Sequence, residues 1–243
     1  MNRYQLPKID LHLHLDGSML PETAWELARG RGIQLPADTL EGFRQFIVVT
    51  ADCRSVNEYL ERFAMPLMIL QDKASIKRVT KELIGLLASQ GLVYGEIRFA
   101  PQLHLDKGLT QRDAIDGVLE GRAEGLAENP SIQIGIICCA MCVGTEDINM
   151  AENLETVRLA KEYLGKGVVA VDLAGQEGIV PLSNFAPCFS WRRTCPFPLP
   201  ATQGIAKGRI RCGMRWTLGR SALGMGIIFS VTRHCASGRL PRG

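Results

Sequence analysis

The sequence predicts an α/β fold, a parallel sheet whose strands are joined by helices. Three observations predict it. Short apolar runs rich in Val, Ile and Leu recur at residues 9–15, 92–99, 132–139 and 168–175. Stretches of helical length and helical apolar spacing lie between them. Gly or Pro stands at most of the boundaries. Strands that alternate with helices in this way form βα units, because parallel neighbours need a long crossover.

Residues 9–15 form the first strand, and the apolar Ile9, Leu11, Leu13 and Leu15 predict a strand buried on both faces. Within it, His12 and His14 are two apart and share a face. They can hold one metal ion as neutral imidazoles at about 2.0–2.1 Å. Two partnered core histidines would give the same pattern. Asp16 follows on the same parity, at the mouth of that site. Pro21-Glu22-Thr23 opens a short helix to about Arg31, with Pro at its start and an acid in its first turn. Helices are expected over Val56–Leu70 and Ala74–Ser89. The second has Ile76, Val79, Leu83, Ile84 and Leu87 at helical spacing and stops at Gly91. Leu92–Phe99 is the second strand, stopped by Pro101. A helix over Ala114–Leu126 precedes the third strand, Ile132–Cys139. A helix over Ala151–Leu164 turns Leu154, Val157, Ala160 and Leu164 inward and closes at Gly165 or Gly167. Val168–Gly175 is the fourth strand. Glu96 and Arg98 alternate with apolar residues; charge inside such a strand demands a partner, so an ion pair is expected. His104 falls in a loop and reads as a surface histidine.

Composition bounds the rest. With 243 residues, 46% of them hydrophobic, and a mean hydropathy of +0.04, the chain can bury a sizeable core. No apolar run reaches the eighteen or so residues of a membrane span. Residues 1–8 lack the apolar core of a secretory signal, which predicts a cytoplasmic chain whose eight cysteines are reduced thiols or metal ligands. Cys139 and Cys142 form a C-x-x-C with no second copy and read as small buried hydrophobes.

The net charge of +3 hides an asymmetry. All 25 acids lie at or before Glu177, with 18 Lys and Arg, a net of −7. The remainder carries ten Lys and Arg and four of the cysteines. Beyond Pro181 the βα pattern fails: Pro196, Pro198 and Pro200 alternate, and glycines and arginines punctuate the rest of the chain.

Three segments together resemble the adenosine deaminase family of the amidohydrolases. They are Lys8-Ile9-Asp10-Leu11-His12-Leu13-His14-Leu15-Asp16-Gly17-Ser18, then Val93-Tyr94-Gly95-Glu96-Ile97-Arg98-Phe99-Ala100-Pro101, then Val169-Ala170-Val171-Asp172-Leu173-Ala174-Gly175-Gln176-Glu177. The resemblance covers residues 7 to about 187. It implies a (β/α)₈ TIM barrel of the metal-dependent hydrolase type, with its site at the C-terminal ends of the strands. Only the first four βα units are recognisable. It further implies that one Zn²⁺ activates a water that attacks C6 of adenosine or a close purine nucleoside or base and expels ammonia. By position His12 and His14 would be metal ligands. His14, Asp16 and Gly175 would contact the substrate, Asp16 by accepting from a ribose hydroxyl and Gly175 by letting the purine approach the backbone. A turn glycine after a strand explains Gly175 equally well. Asp172 and Glu177 could be offered as an acid/base pair, but no spacing rule singles them out.

The chain departs from the family beyond the fourth strand. A His-Ala-Gly-Glu-like motif, a Gly-His-Gly motif and a paired-Asp motif should come next, and none occurs. His234 is the only later histidine. Shifting the frame restores family-like motifs. When the third base of each codon is read with the first two of the next, Pro198 to Gly213 can give Phe-Thr-Cys-His-Ala-Gly-Asp-Ser-Gln-Gly-Pro-Asp-Thr-Val-Trp. The stretch Gly224 to Ser230 can give His-Gly-His-His-Ile-Phe. Residues 188–243 therefore read as an out-of-frame tail on a 1–187 barrel part, and the hydrolase reads as a defective copy of poor solubility. Two alternatives stand beside this. One is an amidohydrolase of other specificity, with Cys139, Cys142 or a tail cysteine as ligands. The other is a non-enzymatic chain binding nucleic acid through its basic tail, against which sparse aromatics and the lack of a binding motif argue.

Overall fold

The structure, a computed structural model, describes residues 6–49, 53, 61–143, 149–175 and 180–189, and the backbone of 217–219 and 228–230. Four parallel strands form one sheet in the order β1-β2-β3-β4: β1 Lys8–His14, β2 Leu92–Phe99, β3 Gln133–Cys142 and β4 Val168–Gly175. Strand order equals chain order, so every crossover steps to the adjacent strand. The helices are α1 Pro21–Gly30, α2 Leu40–Ile47, α3 Ala64–Ile69, α4 Lys73–Ser89, α5 Gln111–Glu128, α6 Met150–Glu162 and α7 Ala186–Phe189. A short antiparallel pair, β5 Thr217–Gly219 and β6 Ile228–Ser230, lies in the basic tail.

Local chemistry sets the helix ends. Pro21 starts α1. Asp72 caps α4 by accepting from Ser75 N–H at 2.9 Å, and Thr110 with Asp113 forms a capping box on α5. Thr39 caps α2, a helix the apolar spacing did not announce. After α4 and α6 the chain turns at Gly91 and Gly165, with φ of 81° and 78°. Lys73, Lys77 and Lys81 pair with Glu120, Glu124 and Glu128, each at 2.7 Å, so α4 and α5 run parallel, side by side. These pairs are exposed and set registry more than stability.

The core lies between the outer face of the sheet and the helices. Leu15, Ile97, Phe99, Ile134, Ile136 and Val171 from the strands meet Ile76, Leu83, Ile84, Ile115 and Val118 from α4 and α5. A second cluster closes the C-terminal end of β3 and β4, where Ala140, Cys142 and Leu173 pack under Val180 and Phe185. Cys138, Cys139 and Cys142 are buried and reduced, in keeping with their reading as small hydrophobes. Three expectations need correction. Strand β1 is not buried on both faces: Ile9 is 63% exposed, because β1 is an outer strand of this sheet and only Leu13 and Leu15 turn to the helices. Leu154 points outward, 43% exposed, and Asn153 and Thr156 take the inward positions of α6 through hydrogen bonds to Met141 and Gln111. The helix expected over residues 56–70 is described only in its later part, as α3.

Among the described strands, β1 and β4 are the outer ones and present N–H and C=O groups to new partners. The chain is therefore expected to self-associate as concentration rises, which sedimentation read with the far-ultraviolet β signal would show. A monodisperse monomer with one sharp melting transition would mean that the tail closes the sheet.

Candidate metal and substrate site

The site is built on a deformation of β1. Asp10 pairs with Gly95 and Leu13 with Ile97, three residues of β1 against two of β2, so the Leu11–His12 peptide is the extra unit of a bulge. Its polar groups are met by side chains instead of ladder partners. The His12 N–H donates to Asp10 Oδ1 at 2.9 Å, and the Leu11 carbonyl accepts from Arg98 Nη2 at 3.3 Å. Beyond the bulge the ladder resumes, with Leu15 N–H donating to the Arg98 carbonyl at 2.9 Å.

His12 and His14 project from this strand to one place. Their Nε2 atoms lie 3.2 Å apart. Two nitrogens bound at about 2.0–2.1 Å to one tetrahedral ion would stand about 3.3 Å apart. Burial pushes His12 down to about 4, helped by the nearby Arg98 charge. Burial pushes His14 to about 3, with His12 and then Arg98 adding to it. Both rings are therefore neutral near pH 7, the protonation state a metal requires. The pair fits a metal ion, yet among the described residues no group of three or more potential ligands exists.

Asp16 sits beside the pair in the turn Asp16–Ser18 that follows β1, 7% exposed. Burial raises its carboxyl to about 6, and the Gly17 N–H, donating to Oδ1 at 2.9 Å, works against that rise. A small cleft opens next to it, walled by Met19, Ile47, Arg62, Phe63 and Pro66. The Phe63 ring meets His14 edge-on, 5.7 Å between centroids. This wall was invisible in the sequence, because nothing in the spacing of Arg62 or Phe63 ties them to β1.

Gly175 stands at the C-terminal end of β4, three strand spacings along the sheet from β1. Its φ is 116°, and a Cβ there would lie 2.4 Å from the Cys142 carbonyl oxygen, so strand packing alone demands glycine. The structure thus brings His12 and His14 together, sets Asp16 in the turn that follows them, and leaves Gly175 on the opposite edge. Glu177 lies outside the described residues.

Of the two charges expected to form an ion pair, Arg98 does so, with a partner that spacing could not name; Glu96 has no ion pair among the described residues and takes a neutral hydroxyl instead. Arg98 pairs with Asp172 of β4, the two 1% and 0% exposed. Glu96 accepts from the Tyr94 hydroxyl at 2.9 Å. The ion pair commits the Asp172 carboxylate to Arg98. Cys139, beside Asp172 in register, has its thiol pushed well up by burial first and by that carboxylate second. It is held as a thiol and is a poor metal ligand.

His104 is corrected outright. It is fully buried, with Nδ1 2.8 Å from the Leu70 carbonyl, because the Pro101–Leu103 turn folds under the end of α3. Its Nε2 has no hydrogen-bond partner among the described residues. Burial lowers this imidazole to about 4, against partial opposition from Leu70 and Asp106. The folded state then resists protonation that the unfolded chain accepts near 6.5. This contribution is whole above pH 6.5 and is lost as pH falls toward 4, on the order of 3 kcal/mol. His12 and His14 add to the loss and Asp16 opposes it, so the informative quantity is a difference. Urea unfolding from pH 7 to 4 is expected to lose stability less steeply in His104→Gln than in the unaltered chain. Equal slopes would refute the assignment.

A parallel βα array with two neutral histidines converging at the end of its first strand defines a half-barrel of the metal-dependent hydrolase class. Its four units are the first half of a (β/α)₈ barrel, and comparison with known proteins specifies it further. The adenosine deaminase family model matches residues 7–194, and the chain belongs to that family. The adenosine deaminase of Haemophilus ducreyi is 40% identical over 222 residues, 90% of this chain and 64% of that protein. Among solved structures, Arabidopsis ADAL complexed with IMP superposes with a TM-score of 0.66 at 26% identity, over 83% of this chain and 59% of that one. An amidohydrolase from Burkholderia ambifaria with bound Zn superposes with a TM-score of 0.68 over 82% of this chain and 52% of that one. At 18% identity it speaks for the fold alone. The chain spans about half the length of its clostridial curated relatives, 51–53%. No helix among the described residues is long and apolar enough to cross a membrane.

Proposed function

We propose that this chain is the first half of a zinc-dependent hydrolase that deaminates adenosine or a close purine, and that the chain as it stands is defective. The observation that carries the reading is the convergence of His12 and His14 Nε2 at 3.2 Å, with Phe63, a wall of the cleft that Asp16 lines, edge-on to the His14 ring. His12 and His14 would hold Zn²⁺, which supplies Lewis-acid activation of water. Asp16, ionised at neutral pH, would accept from a ribose hydroxyl. Gly175, on the far edge of the sheet, would approach a purine that spans the barrel mouth. A cytoplasmic location is part of this proposal.

The defect lies beyond the fourth strand. Two of four family ligands are present, no acid follows Glu177, and the order of the two shifted motifs supports a frame change near residue 188. The test pairs two proteins: this chain, and a chain continued in the shifted frame. The continued chain is expected to bind one zinc and release ammonia from adenosine, and to lose both with His12→Ala. Deamination of AMP in preference to adenosine would overturn the nucleoside assignment. Zinc binding unaffected by His12→Ala would overturn the site.

A further inference from the structure

We infer that Arg98, seated on Asp172, is the positioning residue of the His12–His14 pair, acting through the bulged peptide of β1; the inference rests on reading that pair as a metal site. The two polar groups of the Leu11–His12 peptide lie outside the regular ladder. Arg98 Nη2 holds its carbonyl at 3.3 Å, and Asp10 Oδ1 holds its N–H at 2.9 Å. A bulge re-aims the side chain beyond it, and here that side chain is the His12 imidazole. The guanidinium cannot drift, because Nη1 is paired with Asp172, whose other oxygen accepts from Leu173 N–H at 2.8 Å. One planar fork therefore joins the β4 carboxylate to the backbone of the ligand strand, across β3. Backbone register fixes the second histidine as well, since His14 and Arg98 are direct partners across β1 and β2. The Arg98 Nη2 contact with β1 is with the peptide and not with a ring. It sets where the first ring points relative to the second.

An arginine suits this task and a lysine does not. Bridging a carboxylate and a carbonyl on separate strands takes two N–H groups at fixed separation, which the guanidinium supplies and a single ammonium reaches poorly. Removing supports of metal ligands commonly weakens metal binding 10–100-fold.

The experiment uses the full chain and two readouts. The first needs no metal: amide hydrogen exchange resolved at His12 and Leu13. The second is Co²⁺ affinity of the chain continued in the shifted frame, followed by the ligand-field absorption of the bound ion. Arg98→Met and Arg98→Lys are compared with Leu83→Ala, a core truncation in α4 that lowers stability without touching β1. Relative to Leu83→Ala at equal residual stability, both Arg98 variants are expected to speed exchange of the His12 amide at least about tenfold. They should weaken Co²⁺ about 10–100-fold. If Arg98→Met fails to fold, Arg98→Lys, which keeps the charge on Asp172, carries the comparison. Exchange at His12 that merely tracks global stability in both Arg98 variants would overturn the positioning role. Failure of the frame-continued chain to bind Co²⁺ would count against the metal reading instead, and exchange at His12 would still decide the part played by Arg98.

Discussion

Replacing Asp172 by Asn is expected to cost about 3–5 kcal/mol of folding stability, the largest single-site loss among these predictions. The substitution keeps the shape and removes the charge. Arg98 is then left ionised, 1% exposed, with only the Leu11 carbonyl and a neutral amide to face. A guanidinium does not escape by losing its proton, so the full desolvation cost returns to the folded state. Replacing both partners together by apolar residues, Arg98→Met with Asp172→Leu, should recover much of that loss, because no buried charge remains. Urea unfolding of the three proteins would measure this. A loss below about 1 kcal/mol for Asp172→Asn would show that water reaches the pair.

The second large effect is on turnover. The chain as it stands is expected to release ammonia from adenosine at the rate of a blank, at least about 10⁶-fold below the frame-continued protein, since that is the low end of enzymatic rate enhancement. The described residues offer two imidazoles that fit one ion, without a third ligand group around them. The thiol nearest the buried pair, Cys139, is held un-ionised. With no carboxylate after Glu177, the family's acid/base position is also empty in this chain. Purified chain, analysed for zinc and assayed for ammonia, tests this. One zinc per chain with fast turnover would show that the tail supplies the missing ligands and acid, with no frame change.

Much of the fold was legible because the signals were local. Alternating apolar runs and their Gly and Pro stops located all four strands, and β4 fell on its expected bounds, Val168–Gly175. The convergence of His12 and His14 was legible for the same reason, since strand parity is a property of neighbours in sequence; Asp16 lies past the end of β1, in the Asp16–Ser18 turn, where parity no longer applies. The features that escaped depend on distant residues. His104 looked like a loop histidine, and only the fold of the Pro101–Leu103 turn under α3 buries it. The bulge at Leu11–His12 leaves no mark in β1 itself, since it arises from register against β2. The Arg98–Asp172 pair joins residues 74 apart, and Leu154 looked inward on spacing until hydrogen bonds turned Asn153 and Thr156 to the sheet instead.

The central claim is that a deaminase barrel runs in frame through its fourth strand and out of frame afterwards. The most direct test is the coding DNA from about codon 188 onward, read in all three frames. One shifted frame is expected to carry a His-Ala-Gly motif opposite residues 198–213, then His-Gly-His opposite 224–230. The same frame is expected to continue to a paired-Asp motif. A sequence in which no frame carries these motifs in that order would contradict the claim, and residues 188–243 would then be this protein's own C-terminal part.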